Sequence, residues 1–230
     1  MCVPGPRTSV LAEFPIVPTA GTANTDVSKY RENVRSPRGS TGFGQQYTDD
    51  ISGDWGGKCY EDLKAGLAHL KGQSYIDGDR MFAAGASFGG YMMNWFQGKN
   101  SELGFKTLIT HCGVFNFDSM YATTEEIWFD EWEHGGPPWG PNRTSYEKHS
   151  PHRFAANFKT PMLIIHNDLD FRVPVSEGLQ LFTTLQRLGV PSKFINFPDE
   201  GHWVLKPANS AFWHREVFDW MKKYCPPGPK

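Results

Sequence analysis

The sequence predicts an α/β fold built on a parallel β-sheet, and two observations support that prediction. Short apolar segments suited to buried strands alternate along the chain with segments of helical periodicity. Apolar residues make up 39% of the 230 residues and charged residues 21%, which is enough to bury a sizeable core. This composition excludes a chain that is disordered throughout, and the length fits one ordinary domain or part of a larger one.

Four short apolar segments are predicted to form the strands. They span 80–86, 107–112, 162–166 and 193–197. Pro161 precedes the third segment, and this suits the start of a strand because proline has no backbone N–H to donate to the sheet.

Helices are predicted where apolar side chains recur at spacings of three and four residues. The predicted helices are 60–71, 89–96 and 176–188, and the last of these has Leu181, Leu185 and Leu188 on one face. A further helix is predicted near the end of the chain, capped by Asn209 or Ser210. Its inward side chains are Trp213, Val217, Trp220 and Tyr224. Because these helices follow the strands in turn, they are expected to cover both faces of the sheet.

Two stretches do not follow this alternation. Residues 1–32, rich in Pro, Gly, Thr and Ser, are interpreted as a loosely ordered arm with one apolar segment at 10–17. Residues 113–160 mix acidic and aromatic side chains around Trp128, as expected of a lid or specificity insert. This insert contains His134-Gly135-Gly136-Pro137, which looks like an esterase oxyanion element. In esterases that element precedes the catalytic serine in the sequence. Here it follows the serine motif at 85–89 that is described below, so the stretch is interpreted as an insert loop.

Charge and cysteine content exclude several function classes. The net charge of −2 gives no basic excess for nucleic acid, and the longest apolar runs are too short to span a bilayer. The cysteines, Cys2, Cys59, Cys112 and Cys225, form no CxxC pair and no disulfide framework. His149 and His152 have helical spacing but no third ligand nearby. We therefore expect no metal, no cofactor, no nucleic-acid partner and no membrane association.

Catalytic chemistry is indicated by Gly85-Ala86-Ser87-Phe88-Gly89, which matches G-x-S-x-G between a predicted strand and a predicted helix. Small residues around Ser87 permit the sharp turn that lifts the serine above the sheet. The helix N-terminus then directs free N–H groups to the place where an oxyanion would form.

The order of the remaining polar residues supports this interpretation, because a nucleophile elbow is followed by an acid and then by a histidine. The loop after the third predicted strand contains Asp168 and Asp170, and the loop after the fourth contains His202. Both loops leave the carboxyl ends of parallel strands, where ligands bind in open α/β sheets. Either aspartate could be the acid on this evidence alone.

Together these residues resemble the prolyl oligopeptidase (S9) family of serine peptidases, within it the acylaminoacyl peptidase and fungal dipeptidyl peptidase V branch. The stretches that carry the resemblance are SPRGSTGFG (36–44), GDWGGK (53–58), GASFGGY (85–91), GGPPW (135–139), SP (150–151), HNDLDFRVP (166–174) and DEGHW (199–203). The resemblance extends from about residue 33 to 224. It implies an α/β-hydrolase fold, with 33–230 forming part of the catalytic domain.

The resemblance also implies the roles of individual residues. The family pattern places the acid two residues before an arginine, which selects Asp170 and gives a triad of Ser87, Asp170 and His202. Arg172 matches the position that holds a substrate carbonyl, and Phe88 matches an oxyanion donor. Val173 and Trp128 are further candidates for substrate binding. The implied reaction is hydrolysis of peptide substrates with release of N-terminal dipeptides. The resemblance also implies a secreted enzyme. Residues 1–18, however, do not have the pattern of a signal peptide, and without one the chain is expected to be cytoplasmic.

The resemblance further implies parts that these 230 residues do not match. They are a β-propeller, the first strands of the hydrolase sheet and the loop that gives a second oxyanion donor. The chain is therefore expected to be a truncated relative, with self-association through an unpaired sheet edge unless residues 10–17 cover it. Two alternatives remain open, a promiscuous carboxylesterase and a catalytically impaired fragment.

Overall fold

The computed structural model describes residues 36–74 and 76–226, so the expected arm and the segment at 10–17 lie outside the described residues. The predicted parallel sheet is confirmed. Its strands are Phe82–Ala86 (β1), Thr107–His111 (β2), Met162–Asn167 (β3) and Ser192–Phe197 (β4), in the order β1-β2-β3-β4, and each neighbouring pair is parallel.

The register brings the carboxyl ends of the strands to one edge of the sheet. Ala86 lies opposite His111, His111 opposite Ile165, and Asn167 opposite Phe197. The loops that follow β1, β3 and β4 therefore emerge at one edge, with the loop after β2 between the first two, and this is the edge where the sequence predicted the candidate catalytic residues to lie.

Helices cover both faces of the sheet, as predicted. The α-helices are Gln45–Asp49 (α1), Lys58–Lys71 (α2), Phe88–Leu103 (α3), Phe117–Thr123 (α4), Ile127–His134 (α5), Arg143–Lys148 (α6), Val175–Arg187 (α7) and Pro207–Tyr224 (α8). The sheet has a hydrophobic core on each face, and successive residues of β1 point into one core or the other. Ala83 faces the core shared with α2, α3 and α7, whereas Phe82 and Ala84 face the core shared with α8. None of the helices in these ranges is long and apolar enough to cross a bilayer.

Three predicted helix features are wrong in detail. Helix α3 continues to Leu103 rather than ending at residue 96, because the polar Gln97 is buried and exchanges hydrogen bonds with the backbone of Thr160. Helix α8 begins at Pro207, whose fixed φ suits a first turn, while Asn209 bonds to acidic side chains of the preceding loop instead of capping the helix. Leu188 follows the last residue of α7 and is exposed.

The insert at 113–160 folds into α4, α5, α6 and two 3₁₀ segments, Gly140–Asn142 and Pro151–Asn157. Trp55 anchors it to the domain, because its ring packs at right angles on Phe117 and its indole N–H donates to the buried Glu133 of α5 at 3.0 Å. The insert is thus a packed layer whose first helices lie next to the carboxyl edge of the sheet.

Candidate active site

Ser87 occupies the sharp turn between β1 and α3 that the motif predicts. Its backbone dihedrals are φ 56° and ψ −119°, in a region that residues other than glycine rarely adopt. The surrounding structure fixes this conformation, since the Ser87 N–H donates to His111 O at 2.9 Å and the Ser87 carbonyl accepts from Tyr91 N at 2.9 Å. Strain maintained in this way is typical of functional positions.

Glycines around the turn allow the close approach that it requires. A Cβ on Gly85 would lie 2.3 Å from Gly89 O, and a Cβ on Gly90 would lie 2.7 Å from the Cα of Gly113 after β2. Any side chain at these positions would therefore push the start of α3 away from the sheet. The glycines of the motif are needed to seat the helix as well as to form the turn.

Phe88 is the first residue of α3, so its N–H has no acceptor within the helix. The positive end of the helix dipole lies at the same place, beside the serine. The role of oxyanion donor that the resemblance implies for Phe88 stays a prediction, and a free N–H at this place is what that role requires.

Asp170 lies in the loop after β3, is 2% exposed, and is bonded through both carboxylate oxygens. Oδ1 accepts from the N–H groups of Arg172 and Val173 at 3.1 and 2.9 Å, and Oδ2 accepts from His202 Nδ1 at 2.8 Å. Burial by itself raises the pKa of this carboxyl. The bonds from His202 and Val173 outweigh burial and hold the pKa below its ordinary value, so the group is an anion at neutral pH.

His202 lies in the loop after β4 and uses Nδ1 to bond Asp170. Because a carboxylate can only accept, Nδ1 carries the proton and Nε2 is the nitrogen that can take a proton from a nucleophile. The structure thus brings Asp170 and His202 into contact, and places Ser87 in the loop after β1, at the same edge of the sheet. Asp168 lies apart from this pair, exposed, and accepts from Asn196 Nδ2 at 2.9 Å.

Two side chains to which the sequence interpretation gave no role hold the His202 loop. Asn167, buried at the end of β3, donates from Nδ2 to Gly201 O at 2.6 Å. The carboxylate of Glu200 accepts from the N–H groups of Leu205 and Lys206 at 3.1 and 3.0 Å, which closes the loop over the start of α8. Both lie within motifs identified from the sequence, but their partners become apparent only in three dimensions.

A third residue that the sequence interpretation missed is Glu177 of α7. Its fully buried carboxylate accepts from Phe115 N at 2.9 Å and Asn116 N at 2.7 Å, which fixes the chain just after β2. Burial raises the pKa of this carboxyl despite those bonds. A single glutamate on an amphipathic helix gave no sequence signal for this contact.

His111, at the end of β2, is a neutral neighbour of the site. Burial lowers its pKa to about 3, and the nearby His166 and His202 add to the effect. The Nε2 of His111 lies 3.4 Å from Asn167 Nδ2. The ring therefore adds no positive charge that would compete with His202 for Asp170.

The three candidates for substrate binding have different environments. Arg172 places its guanidinium next to Glu126, with Nε 3.2 Å from a carboxylate oxygen, at the start of the insert helix α5. Trp128 is 61% exposed on that helix. Val173 differs from expectation, because its side chain is buried in the core while its N–H holds Asp170 and its carbonyl accepts from His166 Nε2 at 2.7 Å. This placement favours a role in positioning Asp170 over contact with substrate.

Cys112, His166 and Asp170 have ligand atoms within 4.8 Å of one another, and all three are buried. Asp170 is bonded to His202 and His166 to Val173, while burial raises the pKa of the Cys112 thiol well above its usual range. We interpret the group as part of the packing around Asp170. The His134 motif lies at the end of α5, where the ring packs on Tyr146.

Comparison with protein-family models matches residues 34–227 to the Prolyl oligopeptidase family. A probable dipeptidyl-peptidase 5 of Emericella nidulans is 50% identical over 192 residues, which are 82% of this chain and 26% of that protein. The dipeptidyl-peptidase 5 of Schizosaccharomyces pombe is 47% identical over 189 residues, 82% of this chain and 28% of that protein. The chain therefore spans about a quarter of the length of these relatives.

Solved structures give the same picture at the level of the fold. The acylaminoacyl peptidase of Pyrococcus horikoshii superimposes with a TM-score of 0.78 and 25% identity, over 87% of this chain and 33% of that one. A puromycin-hydrolyzing peptidase of Mycobacterium tuberculosis superimposes with a TM-score of 0.76 and 22% identity, over 87% and 30%. These likenesses confirm the α/β-hydrolase fold that the resemblance implied.

Proposed function

The chain belongs to the prolyl oligopeptidase family, and on that premise we propose that it is a serine peptidase acting through Ser87, Asp170 and His202. The observation that carries the proposal is the 2.8 Å bond between His202 Nδ1 and a buried, ionised Asp170, at the sheet edge that also presents the strained Ser87. This pairing orients the imidazole and stabilises its charged form when it takes a proton.

The reaction proceeds in two halves. The Ser87 hydroxyl attacks the carbonyl carbon of the scissile bond and gives its proton to His202 Nε2, while the Phe88 N–H stabilises the oxyanion. The C–N bond then breaks, His202 gives the proton to the leaving amine, and an acyl-enzyme remains on Ser87. A water molecule repeats the attack with His202 as base, which releases the acid product and restores the serine.

The proposed substrates are peptides that lose an N-terminal dipeptide, in keeping with the names of the fungal relatives. Arg172, at the rim of the site, is proposed to donate to a backbone carbonyl of the substrate, and its pairing with Glu126 holds the guanidinium in place. Trp128 is proposed to add apolar contact from the insert. Secretion is a proposal of the same kind, to be tested by detecting the protein outside the cells that make it.

A fluorophosphonate probe tests the proposal directly, because it reacts only with an activated serine. We expect labelling of Ser87 in the 230-residue chain, loss of labelling in Ser87→Ala, and a turnover of dipeptide anilides lower by roughly 10⁴-fold or more in that variant. Unchanged circular dichroism of Ser87→Ala is the control for folding. An unlabelled wild-type chain would indicate the catalytically impaired alternative.

A carboxylesterase remains the second candidate, because exposed apolar side chains surround the site. Leu169, Phe171 and Trp203 are all large and exposed in the Asp170 and His202 loops, and would accept small apolar esters. Hydrolysis of p-nitrophenyl acetate without any turnover of dipeptide anilides would favour this reading over the peptidase.

A further inference from the structure

The side chain of Trp203 borders the imidazole that handles the proton. Its ring centroid lies 5.2 Å from that of His202, with the two rings inclined at 74°, and the tryptophan is 47% exposed. The His202 side chain itself is nearly buried. The indole is therefore an exposed apolar surface directly beside the general base.

The proposed reaction determines which part of a substrate meets this surface. His202 Nδ1 is bonded to Asp170, so Nε2 must give the proton to the departing amine and must lie within about 3 Å of that nitrogen. The nitrogen carries the Cα of the first residue on the leaving side. The side chain of that residue accordingly leaves the scissile bond next to the imidazole, on which the half-exposed indole packs.

We propose that Trp203 forms the subsite for the first residue of the leaving peptide and selects aromatic and large aliphatic side chains there. This inference rests on the proposed peptidase function. A half-exposed indole offers a rigid apolar face. Another ring or a branched aliphatic side chain buries apolar surface against this face, whereas glycine has no side chain to bury. The dipeptide that remains on Ser87 makes no use of this subsite.

The hydrogen bonds that hold the loop do not involve the indole, which separates the proposed role from simple packing. The backbone on either side of His202 is held by Asn167 through Gly201 and by Glu200 through Leu205 and Lys206. Replacement of Trp203 therefore removes an exposed contact surface and leaves those bonds in place.

The test compares peptides that share one N-terminal dipeptide and differ only in the next residue, glycine, leucine or phenylalanine. In Trp203→Ala we expect kcat/KM to fall about tenfold for leucine and phenylalanine and less than about twofold for glycine. Trp203→Phe retains the preference because it keeps an aromatic face. Leu188→Ala is the matched control, since Leu188 is 45% exposed like Trp203 but lies outside the Asp170 and His202 loops, and should leave all three rates unchanged.

Two further readouts separate this inference from the proposed function. The rate of Ser87 labelling by a fluorophosphonate should be the same in wild type and Trp203→Ala, because that probe places no residue in the subsite. Binding of the three peptides to Ser87→Ala should show the preference for phenylalanine without turnover, and Ser87→Ala/Trp203→Ala should lose it. Equal losses for glycine and phenylalanine, or peptide affinities that ignore Trp203, would overturn the inference even in an active enzyme. Absent labelling, by contrast, would refute the peptidase.

Discussion

Asp168 and Asp170 lie two residues apart but differ in environment, so their substitutions should differ in effect. Asp170→Asn removes the charge that holds His202 in the correct tautomer, and we expect kcat/KM to fall by about 10⁴-fold. Asp168→Asn alters one exposed bond, to Asn196, and should change the rate by less than about threefold. Rates on one dipeptide anilide, with melting curves for both variants, provide the measurement, and equal losses would show that the acid is misassigned.

Asp130 of α5 makes stability depend on pH. It is 3% exposed, its Oδ2 has no hydrogen-bond partner among the described residues, and burial together with the nearby Glu177, Glu126 and Glu133 raises its pKa to about 7. Between the ordinary pKa of an aspartate and pH 7 the folded chain keeps this proton while the unfolded chain releases it. The contribution of this residue to the free energy of unfolding therefore falls as pH rises through that window.

Asp130→Asn should accordingly stabilise the protein, and more so at pH 8 than at pH 5. We expect the free energy of unfolding to rise by on the order of 2 to 4 kcal/mol at pH 8, where the wild-type carboxyl is ionised and bears the full cost of a buried charge. Urea unfolding at the two pH values measures it, with Asp219→Asn on the exposed face of α8 as the control. A gain that is the same at both pH values would contradict the raised pKa.

At the scale of elements, the His202 loop depends on the carboxylate of Glu200. Bonds from Asn209, Leu205 and Lys206 outweigh burial and keep the pKa of Glu200 below its ordinary value, so the carboxylate stays charged beside the N-terminus of α8. In Glu200→Gln the amide retains only one acceptor oxygen for these donors. We expect kcat/KM to fall by about 10- to 100-fold with a smaller change in KM, because misplacement of His202 affects the chemical step.

Glu61→Gln on the exposed face of α2 is the control, since Glu61 is exposed and pairs with Lys64 at 2.9 Å, far along the chain from Glu200. The ¹H resonance of the His202 Nδ1 proton gives a readout that does not depend on turnover. It should shift in Glu200→Gln and stay in place in Glu61→Gln. An unchanged resonance together with full activity would show that the loop holds its shape without this carboxylate.

Sequence patterns predicted the four strands and the loops that carry Ser87, Asp170 and His202, because each is tied to a local pattern, although the choice of Asp170 over Asp168 came from the family resemblance. A sharp turn needs glycines such as Gly85, and buried parallel strands read as short apolar runs. What these patterns missed depends on partners that are distant in the chain. Asn167 bonds a carbonyl 34 residues away, and Gln97, polar yet inside α3, bonds Thr160 across 63 residues. Such contacts exist only once the fold has brought the segments together.

At the scale of the whole molecule, catalysis by the 230-residue chain should be weaker than that of a longer relative. In the part of the chain that the structure describes we identify one oxyanion donor, the Phe88 N–H, and the family resemblance implies a second from a loop before the nucleophile. Removal of one such donor costs about 10²–10³ in rate. We therefore expect kcat/KM of this chain to be about 10²–10³-fold lower than kcat/KM of the Schizosaccharomyces pombe relative on the same dipeptide anilide. Equal values would mean that another N–H of this chain completes the site.

Self-association is the remaining expectation, and the two outer strands of the described sheet differ in how they resist it. β4 carries an exposed Lys193 that pairs with Glu216, and such a charge discourages a further strand from pairing there. β1 stands at the other end of the strand order, and its sequence, Phe-Ala-Ala-Gly-Ala, contains no charge. If a second copy adds a strand to this sheet, its pairing is therefore expected beside β1 rather than beside β4. Sedimentation velocity of the full 230-residue chain over a hundredfold range of concentration should show a species larger than a monomer, and hydrogen exchange of the β1 amides should slow as it forms. A monomer at every concentration would contradict the prediction, while association without protection of β1 would place the interface elsewhere.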